Sequence, residues 1–338
     1  MSNNLRFGVI GAGRIGKIHA ENLATRIPGV EVAAIADINL TAAQEVAAKL
    51  HIPAALSDYH AILSDPSIEA VAICSSTDTH ARIVVEAASA GKHIFCEKPI
   101  DHDLAKIDTA LEAVQTAQVK LQIGFNRRFD ANFRKVRQMV AEGKVGKPHI
   151  LRITSRDPAP PPVSYVKVSG GMFLDMTIHD FDMARYLIGS EVVEVYTAAG
   201  VMVDPAIGQA GDVDTAVITL RFENGTIGTI DNSRQAVYGY DQRVEVFGSG
   251  GMVSADNNLQ DRHVYSTADG IHSAKPLYFF LERYMDSFIT EMKEFVQSVQ
   301  EDKTPPVTGM DGRIPVVIGM AARKSYLEHR PVLLSEVG

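Results

Sequence analysis

The chain has 338 residues, of which 46% are hydrophobic and 22% charged, with a formal net charge of -8 at pH 7. This composition is typical of a soluble globular protein with one large or two ordinary domains. The acidic balance argues against a nucleic-acid partner, because such proteins carry a concentrated basic face. No apolar run approaches the roughly 20 residues that cross a bilayer, and the first residues lack the features of a signal peptide. We therefore expect a cytoplasmic protein with no membrane partner.

The two cysteines, Cys74 and Cys96, each follow or end a predicted buried strand. Two thiols provide neither a disulfide framework nor a zinc knuckle. We predict that both are core residues.

Apolar, β-branched runs alternate with helical patterns through the first third of the chain, beginning with LRFGVI, VEVAAIAD and EAVAIC. Parallel strands require crossover connections, and burial on both faces makes such strands nearly continuous apolar runs. The pattern predicts an α/β fold in which residues 1–124 form a doubly wound, Rossmann-type domain.

The pattern changes after residue 124. Residues 213–255 contain strands joined by the short turns ENG and SGG, which is typical of antiparallel hairpins. The stretch RDPAPPPVSY has four prolines and predicts an irregular loop, and the last 58 residues have helical patterns. We therefore assign residues 125–338 to a second, α+β domain with a mainly antiparallel sheet.

A glycine motif lies between the first strand and the first helix, with Gly11, Gly13 and Gly16 in GVIGAGRIG. This arrangement allows a tight turn and close approach of a pyrophosphate to the helix amino end. Asp37 ends the second strand, where a carboxylate can accept the ribose hydroxyls of an adenosine. It would repel a 2'-phosphate and no arginine follows it, so we predict NAD rather than NADP. FAD, S-adenosylmethionine and a simple tight turn are the weaker alternatives.

Ligands of open parallel sheets bind beyond the carboxyl ends of the strands. CSSTDTH follows the fourth strand and CEKP the fifth, so Lys98 should face the cofactor crevice. A fixed positive charge there favours an alkoxide that develops during hydride transfer. The predicted cofactor contacts are Gly11, Ala12, Gly13, Arg14, Ile15, Gly16, Asp37, Ser75, Thr77, His80 and Glu97.

The segment GGMFLDMTIHDFDMARYLIG, residues 170–189, is mostly apolar. Read as one helix, it places Asp175, His179 and Asp182 on one face, at spacings of four and three. Taken alone, this spacing also fits a solvated helix face.

These motifs together resemble the glucose-fructose oxidoreductase, inositol dehydrogenase and MocA (Gfo/Idh/MocA) family over almost the whole chain. The matching stretches are GAGRIG, CEKP, GFNRRFD, GGMFLDMTIHDFDMARYL and YGYDQRVEVFG. The resemblance implies a Rossmann domain, a second domain with a large open antiparallel sheet, and a homotetramer formed through those sheets. It also implies a catalytic set of Lys98, Asp175 and His179.

In this set, His179 would accept a hydroxyl proton, because imidazole changes protonation near neutral pH. Asp175 would orient that imidazole or bind a neighbouring hydroxyl, and Asp182 either binds another hydroxyl or is structural. Further hydrogen-bonding groups follow the sixth strand, begin the proline loop or come from the antiparallel sheet. The predicted substrate contacts are Lys98, Asn126, Arg127, Arg156, Asp157, Asp175, His179, Tyr238 and Tyr240.

The resemblance is strongest to bacterial inositol dehydrogenases. It implies NAD-dependent oxidation of a secondary hydroxyl of myo-inositol to 2-keto-myo-inositol, without a metal. The alternatives are the same reaction on scyllo-inositol or a pyranose sugar, an NAD-dependent glycosidase, and a non-catalytic nucleotide sensor. The sequence does not choose among inositol isomers.

Overall fold

A computed structural model describes residues 4–338, which divide into two compact units. The first unit contains the residues up to Phe129 together with Asp286–Ile314. The second contains Asp130–Met285 and Pro315–Gly338. The structure thus gives the first unit a carboxyl-terminal segment that the sequence assigned to the second domain.

Packing explains this assignment. Met292, Phe295 and Val296 belong to the same buried hydrophobic cluster as Phe7 and Phe95 of the parallel sheet. A helical pattern identifies an apolar face, but it does not identify the sheet that the face covers.

The first unit contains the predicted parallel sheet, which has six strands in the order β3-β2-β1-β4-β5-β6. Its central strand Ala70–Ile73 is buried at every position, as expected for a strand covered on both faces. The strands are β1 Leu5–Ile10, β2 Val30–Ala36, β3 Ala54–Leu56, β4 Ala70–Ile73, β5 His93–Cys96 and β6 Leu121–Ile123. The helices are α1 Arg14–Thr25, α2 Leu40–Leu50, α3 His60–Ser64, α4 Thr77–Ser89 and α5 Leu104–Ala117.

The second unit contains a seven-stranded mixed sheet in the order β12-β11-β7-β10-β9-β8-β15. All neighbours are antiparallel except β7 and β10. The sheet strands are β7 Pro148–Arg156, β8 Val192–Gly200, β9 Thr215–Phe222, β10 Ile227–Ser233, β11 Asp241–Gly248, β12 Gly251–Ala255 and β15 Val332–Leu333. A separate hairpin consists of β13 Val264–Thr267 and β14 Gly270–Ser273.

The second unit contains the helices α6 Ala131–Ala141, α7 Val163–Ser169, α8 Ile178–Ile188 and α9 Pro205–Gln209. Two further helices, α10 Phe280–Gln300 and α11 Gly309–Glu328, have residues in both units. Helix α7 begins inside the stretch predicted as a loop. Among residues 4–338, no helix is long and apolar enough to span a bilayer.

Both cysteines are buried and free, as predicted. Burial raises the pKa of both thiols well above the usual value, and the Glu97 carboxylate adds to this effect. They therefore stay protonated and act as apolar packing groups.

Candidate active site

The glycine turn after β1 has the geometry that a dinucleotide needs. Gly11 has φ +105°, and a Cβ at this position would lie 2.5 Å from the Cys74 carbonyl oxygen. A Cβ on Gly13 would meet no atom within 4 Å, so space is open directly before helix α1. The helix amino end and this space together form a site suited to a pyrophosphate.

Asp37 is fixed at the end of β2 by two backbone donors. Its Oδ2 accepts a hydrogen bond from the Ala12 N–H at 2.6 Å, and its Oδ1 accepts one from the Asn39 N–H at 2.8 Å. The next side chain, Ile38, is 98% exposed and offers an apolar surface suited to an adenine ring. These residues fit the adenosine half of NAD.

The segment after β4 is held by His80 rather than left free to move. The buried His80 ring places Nδ1 2.8 Å from the Pro99 carbonyl oxygen and Nε2 3.0 Å from the Ser75 carbonyl oxygen. Ser75 and Thr79 hydroxyls are 2.7 Å apart, and Thr77 begins helix α4. His80, predicted to contact the cofactor, therefore links the segments that carry Ser75 and Pro99.

Glu97 belongs to a buried cluster that the sequence did not predict. Its Oε1 lies 2.7 Å from His19 Nε2, and its Oε2 accepts a 3.3 Å hydrogen bond from the Lys98 backbone N–H. Glu291 Oε1 lies 4.0 Å from the same His19 nitrogen. Burial, and then the Glu97 charge, raise the pKa of Glu291 well above its usual value. The cluster thus combines a hydrogen-bonded His19–Glu97 pair with a carboxyl group whose surroundings favour its protonated form.

The residues after β5 and β6 are placed close to the carboxyl end of the parallel sheet. Lys98 is half-buried, and Asn126 and Arg127 are buried in a 3-10 turn formed by Asn126–Phe129. Arg128, the next residue, forms a 2.9 Å ion pair with Asp311. The four-residue turn therefore contains both predicted substrate contacts and a structural arginine.

The segment predicted as one continuous helix is divided. Met172–Met176 is a π-helical turn in which the Thr177 N–H donates to the Met172 carbonyl oxygen, and helix α8 begins at Ile178. The turn starts at Gly171, φ +74°, where an added Cβ would lie 2.7 Å from the Asp212 carboxylate. That carboxylate accepts hydrogen bonds from the Met172 N–H. Such π-turns are frequent at functional sites.

The polar residues of this segment differ in exposure. Asp175 and His179 are partly exposed, but Asp182 is completely buried. Asp180 is also completely buried and accepts a 2.9 Å hydrogen bond from the Asn232 amide. The expected stripe therefore contains Asp175 and His179 but not Asp182.

Asp175 is held by two side chains. Its Oδ1 accepts a 2.9 Å hydrogen bond from the Tyr165 hydroxyl, and its Oδ2 lies 3.3 Å from Arg234 Nη2. Arg234 Nη1 also lies 3.2 Å from Asp157 Oδ2. The predicted site residues Asp157 and Asp175 are thus brought together by Arg234.

Arg156 binds Tyr238 and Asp231, away from Asp175. The Arg156 guanidinium bonds to Asp231 Oδ1 at 2.7 Å and to the Tyr238 hydroxyl at 3.2 Å. Asp231 and Asn232 are successive residues of β10, so their side chains lie on opposite faces of the sheet. The Asn232 amide contacts α8, and Asp231 is therefore on the face away from α8. Tyr240 is buried and packs edge-to-face against Tyr284, with ring centroids 6.0 Å apart.

Sequence reasoning missed Tyr165, Arg234, His19 and Glu291. Tyr165 was read as part of a loop, and Arg234 was read as part of a strand end. His19 lies in GAGRIGKIH, three residues after the last glycine of the motif, and offered a local signal. Nothing near Glu291 in the sequence indicates that it meets residue 97.

Family models match both parts of the chain. Residues 5–125 match the oxidoreductase family with an NAD-binding Rossmann fold, and residues 133–254 match the GFO/IDH/MocA C-terminal domain. These matches agree with the two sheets described above.

Individual proteins match nearly the full length. The chain is 53% identical over 333 residues to the myo-inositol 2-dehydrogenase of Thermotoga maritima, covering 98% of this chain and 99% of that protein. It is 36% identical over 334 residues to the scyllo-inositol 2-dehydrogenase (NAD(+)) of Bacillus subtilis, covering 99% and 97%. The myo-inositol dehydrogenase of Lactobacillus casei, solved in complex with NAD(H) and myo-inositol, has a TM-score of 0.87 at 27% identity, covering 97% and 96%.

Proposed function

The chain belongs to the GFO/IDH/MocA family of NAD-binding oxidoreductases, and from this we propose that it is an inositol 2-dehydrogenase. Its substrate is myo-inositol, and its product is 2-keto-myo-inositol (scyllo-inosose). The observation that carries the substrate is the 53% identity to a myo-inositol 2-dehydrogenase over the length of both proteins. The partly exposed pair of Asp175 and His179 in an otherwise buried segment supports the reaction class.

The reaction converts a secondary alcohol and NAD⁺ to a ketone, NADH and a proton. NAD, when bound, accepts the hydride from the carbinol carbon. Gly11, Gly13 and Asp37 would hold the nucleotide at the glycine turn described above, and the Asp37 charge would disfavour a 2'-phosphate.

In this proposal, His179 accepts the proton of the substrate hydroxyl. The Lys98 ammonium favours the alkoxide as negative charge develops on the oxygen. Asp175 accepts a hydrogen bond from a neighbouring hydroxyl or from the imidazole. Lys98 supplies the positive charge that a metal supplies in other alcohol dehydrogenases, so we retain the prediction of metal-independent activity.

Scyllo-inositol is the second candidate substrate, and the 36% identity to a scyllo-inositol 2-dehydrogenase favours it. Epimers differ in the direction of one hydroxyl, and an unmatched buried polar group costs about 1–3 kcal/mol. Initial rates of NADH formation with myo-inositol, scyllo-inositol and glucose, each with NAD and with NADP, decide between them. The highest kcat/KM with myo-inositol and NAD supports our proposal, whereas no NADH formation with either inositol contradicts it.

The open face of the second unit's sheet supports a homotetramer. Strand β9 alternates buried and more exposed positions, and Val217 on the open side is 53% exposed. Ile227 and Phe247 are exposed at 50% and 44%. A second copy would cover these exposed apolar side chains, as the sequence resemblance implies. We also place the enzyme in the cytoplasm, where the dissociable cosubstrate NAD is available.

A further inference from the structure

Arg234 is a buried cation shared by two carboxylates. Its side chain is 5% exposed and contacts Asp157 at 3.2 Å and Asp175 at 3.3 Å. A buried guanidinium loses its hydration, and it needs this charge pairing to remain in the interior. The two aspartates therefore compensate one arginine.

The ends of two parallel strands place this arginine. Strands β7 and β10 end opposite each other at Arg156 and Ser233. Pairing continues past these residues, since the Asp157 N–H donates to the Ser233 carbonyl and the Ala236 N–H donates to the Asp157 carbonyl. Side chains alternate along extended chains, so Asp157 points to the face opposite to Arg156.

Both oxygens of Asp175 have a donor. Oδ2 faces Arg234 and Oδ1 receives the Tyr165 hydroxyl, and Tyr165 lies in the first turn of α7, directly after the proline loop. Asp157 begins that loop. Asp175 is thus connected to both ends of the loop, through Arg234 at one end and Tyr165 at the other.

We propose that Arg234 is a positioning residue for the reaction, because it holds the Asp175 carboxylate in one orientation and joins it to the proline loop. This inference rests on the proposed function, in which Asp175 acts on the substrate or on His179. A carboxylate held in one orientation can only accept hydrogen bonds. It therefore favours a substrate hydroxyl at its side over an ether or carbonyl oxygen.

The charged and titratable groups around Asp175 come from several elements. Arg234 and Tyr165 contact Asp175 directly, and Asp157 shares Arg234 with it. Asp212 accepts a hydrogen bond from the Met172 N–H at the start of the same π-turn, and His179 follows Asp175 by four residues. Arg234 is the cation among these contacts whose charge does not change with pH. Its removal takes a fixed positive charge away from the reacting groups, so the acid limb of the pH profile should move to higher pH.

The variants Arg234→Gln and Arg234→Lys test this proposal through pH profiles of kcat/KM for myo-inositol with saturating NAD. We expect Arg234→Gln to lower kcat/KM about tenfold or more, which is the effect of losing a charged hydrogen bond. The acid limb of its pH profile should move to higher pH. Lysine keeps the charge but lacks the planar fork that reaches two carboxylates. Arg234→Lys should restore the acid limb and recover only part of the rate.

Arg185→Gln is the matched control. Arg185 is also buried in the second unit, and it forms a two-pronged ion pair with Glu191 at the other end of α8. Its loss should lower stability without moving the acid limb. An Arg234→Gln profile with an unmoved acid limb, or a rate loss no larger than that of Arg185→Gln, would overturn the proposal.

A second readout separates this inference from the proposed function. Carbon-13 NMR of labelled aspartate carboxyl groups, with Asp175→Asn to assign the signal, reports the surroundings of the Asp175 carboxyl group without substrate. Arg234→Gln should shift or broaden this signal, because the carboxyl group loses a charged partner, and an unchanged signal rejects the role of Arg234. Wild-type protein that is inactive with every inositol rejects the proposed function, and the NMR comparison still decides the role of Arg234.

Discussion

Arg156 and Asp157 are adjacent in sequence, but their charged groups lie on opposite faces of the seven-stranded sheet. Arg156 pairs with Asp231 on the open face, whereas Asp157 pairs with Arg234, which also contacts Asp175. Strand alternation produces this separation. Two residues predicted to share one role therefore have different surroundings.

The ammonium group of Lys98 should be required for turnover. We expect Lys98→Ala to lower kcat by at least about 100-fold, because the developing alkoxide loses its electrostatic partner. NADH affinity, measured by fluorescence titration, should change little. Lys106→Ala, an exposed lysine that pairs with Asp101, is the control and should retain activity. Wild-type turnover in Lys98→Ala would exclude Lys98 from the catalytic set.

Asp37 should determine the preference for NAD. We expect Asp37→Ala to weaken NADH binding about tenfold or more, because it removes the acceptor for ribose and for the Ala12 N–H. NADPH binding should improve relative to NADH, since the charge that repels the 2'-phosphate is lost. Dissociation constants for both nucleotides measure this ratio. An unchanged ratio would show that another residue selects the nucleotide.

Glu291 should make the protein less stable as pH rises. Burial raises its pKa above the unfolded value, so the folded state holds a proton that the unfolded state releases. The stabilising contribution is therefore complete below about pH 4.5 and decreases as pH rises toward the folded pKa. The slope is at most about 1.4 kcal/mol per pH unit.

Glu291→Gln should remove this pH dependence. We expect the variant to lose less thermal stability than the wild type between pH 5 and pH 8, measured by calorimetry. Glu45→Gln, an exposed position on α2, is the matched control and should follow the wild type. Parallel curves for Glu291→Gln and the wild type would mean that Glu291 is already ionised in the folded protein.

The open sheet face should carry the subunit interface. We expect Val217→Asp to lower the molar mass in solution, because an unpaired carboxylate in place of Val217 is costly to bury against a second copy. Light scattering after gel filtration measures the mass. Val264→Asp, at a 63% exposed position on the separate hairpin, should leave the mass unchanged. A tetramer that persists in Val217→Asp would place the interface elsewhere.

Much of the fold could be predicted from local patterns. The parallel sheet, the ENG and SGG hairpins and the family resemblance are confirmed by the strand pairing and the family models. NAD as the cofactor agrees with the NAD-binding family model and with relatives bound to NAD(H). The predicted continuous helix over residues 170–189 was wrong, because Gly171 and Asp212 begin a π-turn that periodicity does not reveal.

The sequence by itself determined the nucleotide turn, because Gly11, Gly13 and Asp37 lie within one strand-helix-strand unit whose spacing is local. Only the tertiary structure decided which charges are paired. His19, Glu97 and Glu291 form one buried cluster, although 272 positions separate the first from the last. Arg234 likewise joins Asp157 and Asp175 from three separate elements. A buried charge is stabilised by whatever the fold brings within a few ångströms, and distance along the chain does not specify that partner.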